Sequence, residues 1–249
     1  MGLFLSGLPT RVMAQPWNLY VQERSLNNPS SAWLALHQQN KRRSLPGRRE
    51  PAAGRGCGIN MPKPPLTALS PQTNLGFTVA AYPQFFFYIP QTSAKAVKFT
   101  LLKEDKHKVY ETTFSIPSTP GIFRLSLPTD KTLPPLEIGK NYHWYLQLFC
   151  SELGNGEIYV DGWVQRVEPN STPTSQSEKV EVGELMESDR KHGFWYDDLA
   201  KLAEKLRSNP NDSALKVEWE SLLRSEGLNA IARQPLAGNL SSVSNTGRS

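Results

Sequence analysis

The sequence YPQFFFYIP, residues 82–90, decides the fold of this chain. Between its two prolines lies an unbroken apolar and mostly aromatic run, Phe85 to Ile89. The run is short and bounded by proline, which is excluded from the interior of a sheet, so it is typical of a β-strand. A strand with one wet face alternates apolar and polar residues, and this one does not. The pattern therefore predicts a strand that is covered on both faces.

The residues on either side of this run predict further short strands with no helix between them. Turn residues such as Gly154-Asn155-Gly156 bound them, as tight hairpins require. This pattern favours a mainly β fold, an immunoglobulin/fibronectin-III-like antiparallel β-sandwich over residues 66–168. The predicted strands are Leu66–Leu69, Phe77–Val79, Gln84–Ile89, Ala96–Lys103, Lys108–Ile116, Gly121–Leu127, Asn141–Cys150 and Glu157–Val167.

The segment NYHWYLQLFC, residues 141–150, shows the clearest alternation in the chain. One side of it is a predicted core face, made of Tyr142, Trp144, Leu146, Leu148 and Cys150. The preceding Leu136-x-x-Gly139-x-x-Tyr142 resembles the corner before the sixth strand of such sandwiches. There a tyrosine hydroxyl bonds back to the chain and fixes the crossover.

The opposite side of this strand and of the next one carries a second set of aromatic side chains. Its members are Tyr145, Phe149, Tyr159 and Trp163. At about 25 cal/mol per Å² and about 150–250 Å² per ring, covering each ring contributes a few kcal/mol. Together with the second face of the run Phe85 to Ile89, this is too much aromatic surface to leave in water, so we expect the C-terminal helices to cover it. If they do not, Tyr145, Tyr159, Trp163 and Trp195 are candidate binding residues for a protein or a glycan.

The C-terminal residues 181–236 predict amphipathic helices that pack on the sandwich. Two sets of apolar residues recur at three- and four-residue spacing. They are Phe194, Trp195, Leu199, Leu202 and Leu206, and then Leu215, Trp219, Leu222 and Leu223. Asp212 or Ser213 is expected to cap the second helix. The Ser-, Asn- and Gly-rich tail, 237–249, is predicted to be disordered.

The N-terminal part divides into a signal-peptide remnant at 1–14, with cleavage after Ala14, and an irregular Pro/Gly-rich segment at 15–65. A plain disordered N-terminus is the alternative for the first. The formal net charge is +5, and the basic excess lies in the second. Arg48 and Arg49 are candidate basic contacts, either in a solvated linker or docked on the folded domain. No aromatic residue accompanies the basic stretch at 41–55, so we predict no nucleic-acid partner.

The chemistry-bearing residues are few. Cys57 and Cys150 are the two cysteines, and in an exported protein they would form one disulfide, which chain-entropy arithmetic values at about 4–5 kcal/mol. The alternative is two buried free thiols. The histidines are scattered, and no catalytic or phosphate-binding motif occurs, so we predict neither a metal, a cofactor nor an enzyme. His143 and Asp161 fall on the outward face of neighbouring strands, and with a serine they would allow a hydrolase as a weaker alternative.

Several motifs follow one another in a fixed order: GRREPAAGRGC, LTALSPQTNLGFTVAAYPQFFFYIP, GKNYHWYLQLFC, DGWVQRV, YDDLAKLAE and NPNDSALKVEWESLLRSEGL. Together they resemble the cyanobacterial domain-of-unknown-function family numbered 928. The resemblance covers roughly residues 47–236. It implies an exported protein with its two cysteines bridged, which associates with secreted or periplasmic modules, often ones with helical repeats and caspase-like partners. It implies no established activity and no catalytic residue.

Together these observations predict a non-enzymatic extracytoplasmic module, periplasmic or secreted, for protein–protein or envelope assembly. Its expected partner is another exported protein. A periplasmic accessory domain that binds a glycan or small ligand is the alternative. No run of the sequence is long enough for a transmembrane helix.

Overall fold

The computed structural model of the chain describes residues 44–51, 63–94, 96–130, 132–149, 157–169 and 193–240. Several sequence predictions lie wholly or partly outside these ranges. They include the signal-peptide remnant at 1–14, most of the irregular segment at 15–65, the bridge between Cys57 and Cys150, the place of Cys150 on the core face, the turn at Gly154-Asn155-Gly156 and the tail after residue 240.

Apart from the last strand, strands and helices follow one another in the order that the periodicities predict. Their bounds are β1 Thr67–Ala68, β2 Leu75–Thr78, β3 Gln84–Ile89, β4 Ala96–Lys103, β5 Lys108–Ser115, β6 Gly121–Ser126, β7 Asn141–Phe149, β8 Glu157–Arg166, α1 Trp195–Ser208, α2 Ser213–Ser225 and β9 Leu236–Asn239. Asp212 caps α2, because its side chain accepts hydrogen bonds from the N–H groups of Ala214 and Leu215. Neither of these helices is long and apolar enough to cross a bilayer.

The strands form two sheets, which confirms the immunoglobulin/fibronectin-III-like sandwich with a C-terminal helical extension. One sheet has the order β2-β8-β7-β4-β5 and the other β1-β3-β6-β9. The central pairings are antiparallel, as predicted. The edge strands β2 and β9 pair in parallel with β8 and β6. The antiparallel prediction is wrong for these two edges, because each pairs segments that are far apart in sequence and hairpin spacing carries no signal for such pairs.

The interior of the sandwich is filled by aromatic rings from both sheets. Phe85 and Phe87 of β3 point inward, with ring centres 5.2 Å from Phe99 and 5.5 Å from Trp144, respectively. Tyr142 forms the predicted corner, since its hydroxyl accepts a hydrogen bond of 2.9 Å from the N–H of Glu137. The local alternation of β7 thus sets both the core and the crossover.

The outer face of β3 is covered by the C-terminal helices. Phe86 is buried, and its ring centre lies 6.4 Å from that of Trp219 on α2. At the start of α1, the indole N–H of Trp195 donates to the carbonyl of Leu69 at 2.8 Å. Both faces of the aromatic run are therefore dry.

The helices do not cover the outward rings of β7 and β8, and that expectation is wrong. Helix α1 packs against β2 and β3 instead. The outer side of β3 offers two neighbouring buried rings, those of Phe86 and Tyr88. The outward side of β7 and β8 interrupts its rings with His143, Gln147 and Asp161, whose polar groups favour a wetter surface.

The predicted disordered tail is also wrong for its first residues. Ala237 to Asn239 belong to β9, and the following Leu240 is buried. The side chain of Arg124 on β6 donates to the side-chain oxygen of Asn239 at 2.8 Å. Strand β9 thus pairs along an edge of β6 that would otherwise leave backbone groups unpaired.

Candidate functional site

The register of β7 on β8 brings the outward side chains together. His143 lies opposite Trp163, and Tyr145 lies opposite Asp161. Directly opposed side chains on one face of an antiparallel pair are about 4.5–5.5 Å apart at Cβ, so each of these pairs is in reach of contact. We call the set His143, Tyr145, Tyr159, Asp161 and Trp163 the outer cluster.

The rings of the outer cluster form a continuous row. His143 stacks on Trp163 with ring centres 4.1 Å apart and an interplanar angle of 12°. On its other side, the His143 ring lies 4.2 Å from Tyr145, and Tyr145 lies 6.2 Å from Tyr159. All four rings are half-buried, so they pack on one another and still reach solvent.

A chain of hydrogen bonds fixes the centre of this row. The Nε2 of His143 lies 2.7 Å from Oδ2 of Asp161, and its Nδ1 lies 3.0 Å from the hydroxyl of Tyr145. An ionised carboxylate only accepts, so we assign the ring proton to Nε2 and let Nδ1 accept from Tyr145. With this assignment, each ring nitrogen of His143 has one hydrogen-bond partner.

The described N-terminal residues 44–51, which we call the strap, lie along the edge of β8. Arg48 and Asp161 exchange two backbone hydrogen bonds, of 3.1 and 2.9 Å. The indole N–H of Trp163 donates to the carbonyl of Pro46 at 2.8 Å. The guanidinium of Arg48 lies 4.3 Å from the ring centre of Tyr159, within the range of a cation–π contact. The strap thus contacts the outer cluster through both backbone and side chain.

Arg49 anchors the strap on the other side, against the rest of the domain. Its guanidinium donates to the carbonyls of Ser70 at 3.3 Å and Glu226 at 2.6 Å. Its own carbonyl accepts from Ala68 at 2.8 Å. Burial lowers the pKa of the Arg49 guanidinium, and the charge of Glu226 opposes that shift. The two arginines therefore face opposite sides of the strap and both contact the folded domain.

The outer cluster holds an acid, an imidazole and a hydroxyl in the order used by hydrolytic triads, with a phenol in place of serine. Burial raises the pKa of the Tyr145 phenol, and the charges of Asp161 and Tyr159 add to the effect. A raised pKa disfavours the phenolate, which would be the nucleophile. The arrangement is therefore suited to holding rings in place. Within the described ranges, no group of three or more His, Cys, Asp and Glu side chains could hold a metal ion.

Of the four aromatic residues predicted to bind, the structure brings together Tyr145, Tyr159 and Trp163. Trp195 is not among them, because it is buried and its indole N–H donates to the carbonyl of Leu69, and that assignment is wrong. Sequence reasoning placed His143 and Asp161 on this face. It missed the hydrogen bond between His143 and Tyr145, for which outward placement two residues apart on one strand was the available signal.

Away from the outer cluster, one carboxyl group has a strongly raised pKa. Asp198 lies in the first turn of α1, and burial raises the pKa of its carboxyl to about 7. The neighbouring Lys201 opposes that shift and Asp197 adds to it. In the described part of the chain, its buried Oδ2 has no hydrogen-bond partner, which fits a neutral carboxylic acid.

Comparisons with known proteins give a family and several structural likenesses. Residues 50–236 match the family described as Domain of Unknown Function (DUF928). No curated protein matches the sequence. The fn3 domain of the human collagen alpha-1(XX) chain aligns over 49% of this chain and 97% of its own length, with 17% identity and a TM-score of 0.26. The fusolin of spindles of a Wiseana spp entomopoxvirus aligns over 54% of this chain and 57% of its own, with 12% identity and a TM-score of 0.26.

Proposed function

The chain belongs to the family Domain of Unknown Function (DUF928), which matches residues 50–236, and on that premise we propose that it is a non-enzymatic extracytoplasmic interaction module. It binds another exported protein of a cyanobacterial host, in protein–protein or envelope assembly. The outer face of the five-stranded sheet is the contact surface.

The observation that carries this proposal is the difference between the two outer faces. On the four-stranded sheet, Phe86 is buried beneath Trp219. On the five-stranded sheet, the rings of the outer cluster stay half-exposed. Tyrosine, tryptophan and arginine are enriched where proteins bind one another, and this face presents all three.

The outer cluster also has the rigidity that binding favours. His143 is held by Asp161 and Tyr145 at 2.7 and 3.0 Å, and the indole of Trp163 is held by Pro46. Side chains that are already fixed lose less conformational entropy when a partner docks.

The extracytoplasmic part of the proposal rests on the signal-like start at 1–14 and on the cysteine pair. Cys57 follows the strap closely in sequence, and in an oxidising compartment a bridge to Cys150 would tether the segment after the strap. Mass spectrometry of the exported protein without reduction tests this, because a bridge lowers the mass by about 2 Da.

Cross-linking capture of an exported partner tests the contact surface. The informative variant is Phe149→Ser, which removes a half-buried ring from the outer face beside the outer cluster. Val217→Ser is the matched control, because Val217 is 67% exposed on α2, which packs over the other sheet. We expect the control to capture the same partner as the parent chain and Phe149→Ser to lose most of it. Equal capture by both variants would refute the proposed surface.

A glycan is the alternative ligand, and one observation favours it. The parallel stack of His143 on Trp163 offers a flat π surface of the kind on which the C–H groups of a sugar ring pack. Retardation of the chain in gels containing envelope polysaccharide, relieved by Trp163→Ala, would favour this alternative. Unchanged mobility would leave the protein partner.

A further inference from the structure

We propose that the strap is an intramolecular ligand, and that the β8 edge beneath it is a peptide-binding site for an extended partner segment containing Gly-Arg. This inference rests on the proposed function and names the chemistry of the partner. The occupant of the site in a complex is a segment of another protein that displaces Pro46, Gly47 and Arg48.

The backbone contact has the form of strand addition to a sheet edge. Strand β2 pairs with β8 only from Leu75 opposite Trp163 onward. Immediately before that point, the strap takes over the same edge through the bridge between Arg48 and Asp161. Extended peptides that add to sheet edges gain affinity from such main-chain bonds and specificity from side-chain pockets. Within the described residues, the ladder between the strap and β8 consists of this one bridge, and side-chain contacts supply the remaining hold.

The site selects glycine because it leaves little room for a side chain. A Cβ atom on Gly47 would lie 3.0 Å from the carbonyl oxygen of Asp161 and 3.3 Å from Cβ of Asn74. Asn74 has a φ of 58°, in the left-handed region, and its amide donates to the carbonyls of Leu45 at 3.3 Å and Gly47 at 3.0 Å. Asparagine tolerates this conformation better than most residues, so Asn74 is suited to this position.

The site selects arginine through the negative charge of Asp161 and the aromatic ring of Tyr159. The guanidinium of Arg48 lies over the Tyr159 ring, and its Nε is 3.6 Å from Oδ1 of Asp161. The Asp161 carboxylate is nearly buried, whereas the Arg48 side chain is 40% exposed. The receptor side of this pair is thus fixed, and the ligand side reaches solvent. A partner's arginine can therefore replace that of Arg48 without disturbing the core.

The strap is part of the same chain as its site, so a peptide from another protein has to compete with it. A segment linked to its own site acts at an effective concentration on the order of mM. The contacts of Arg49 with Ser70 and Glu226 keep the strap near β8 even when Arg48 is released. A partner segment therefore has to bring further contacts, which the outer cluster next to the strap can supply.

The test uses the full chain with Gly47→Val and the labelled peptide acetyl-Ser-Leu-Pro-Gly-Arg-amide, the sequence of residues 44–48. We expect the valine to weaken the hold of the strap on β8, because its Cβ would lie 3.0 Å from the carbonyl oxygen of Asp161 and its methyl groups need still more room. We expect fluorescence anisotropy to show binding at least about tenfold tighter than to the parent chain. Peptides with Glu in place of the arginine, or Val in place of the glycine, should not bind. Tyr159→Ala in the same chain should weaken binding.

Three outcomes would overturn the inference: no binding to Gly47→Val, equal binding of the glutamate peptide, or no effect of Tyr159→Ala. If Gly47→Val fails to fold, titration of the parent chain replaces it, and the indole N–H resonance of Trp163 should shift at peptide concentrations in the mM range. Self-association of the parent chain that the peptide reverses would support the site, with the strap of a second copy as ligand. Loss of this inference leaves partner capture through Phe149 intact, so its failure is distinct from failure of the proposed function.

Discussion

Replacing Trp219 by alanine should destabilise the fold, because it removes the side chain of α2 that covers the outer face of β3. The Trp219 ring is 4% exposed and meets Phe86 at 6.4 Å with an interplanar angle of 69°, an edge-on contact. Truncating a buried tryptophan costs about 3–5 kcal/mol of unfolding free energy, because transfer energy is lost and a cavity remains. Val217→Ala on the same helix should change stability by no more than about 0.5 kcal/mol, since Val217 is 67% exposed.

Urea unfolding followed by circular dichroism measures both variants against the parent chain. The expected result is a lower midpoint for Trp219→Ala with an unchanged slope, which means a change of stability without a change in exposed surface. A loss below about 1 kcal/mol, or equal losses in the two variants, would mean that α2 does not cover β3. The fold would then lack the layer that makes the aromatic run dry on both faces.

Two further predictions concern single positions. Asp198→Asn should stabilise the chain at pH 8 and not at pH 4. Burial raises the pKa of this carboxyl from 3.8 to about 7. The stability of the parent chain therefore falls as the pH rises between these two values, by at most about 4 kcal/mol. Thermal melts across this pH range check the sign, and a stability difference between variant and parent that does not change with pH would contradict it. Gly162→Ala should cost about 1–3 kcal/mol, because its Cβ would meet Cζ2 of Trp144 at 2.5 Å in a packed interior; a melting temperature equal to that of the parent chain would mean that the interior is loose there.

Local periodicity was enough to predict the sandwich and its core. The alternation along β7 identified Tyr142, Trp144, Leu146 and Leu148 as buried, and a period of two needs no knowledge of distant residues. The corner motif likewise spans only a few residues, and the Tyr142 hydroxyl bonds to the N–H of Glu137. Burial of both faces of β3 could also be predicted from the sequence, because its apolar run leaves no polar face.

What could not be predicted was which surface each distant segment would choose. The helices had two aromatic faces available, and amphipathic spacing does not distinguish them. The hydrogen bond from the Arg48 N–H to the Asp161 side chain joins residues 113 positions apart. Nothing in the local composition of the basic segment signals that contact. The same holds for β9, whose Gly- and Asn-containing residues are typical of disorder until an open strand edge pairs with them.

Hydroxyl-radical footprinting of the chain alone and in complex with its captured partner tests the central claim most directly. The account predicts that Tyr159 and Trp163 are oxidised in the free chain and protected in the complex, while Phe86 is protected in both. Oxidation of Phe86 in the free chain, or a complex that protects Val217 and leaves Tyr159 reactive, would contradict it.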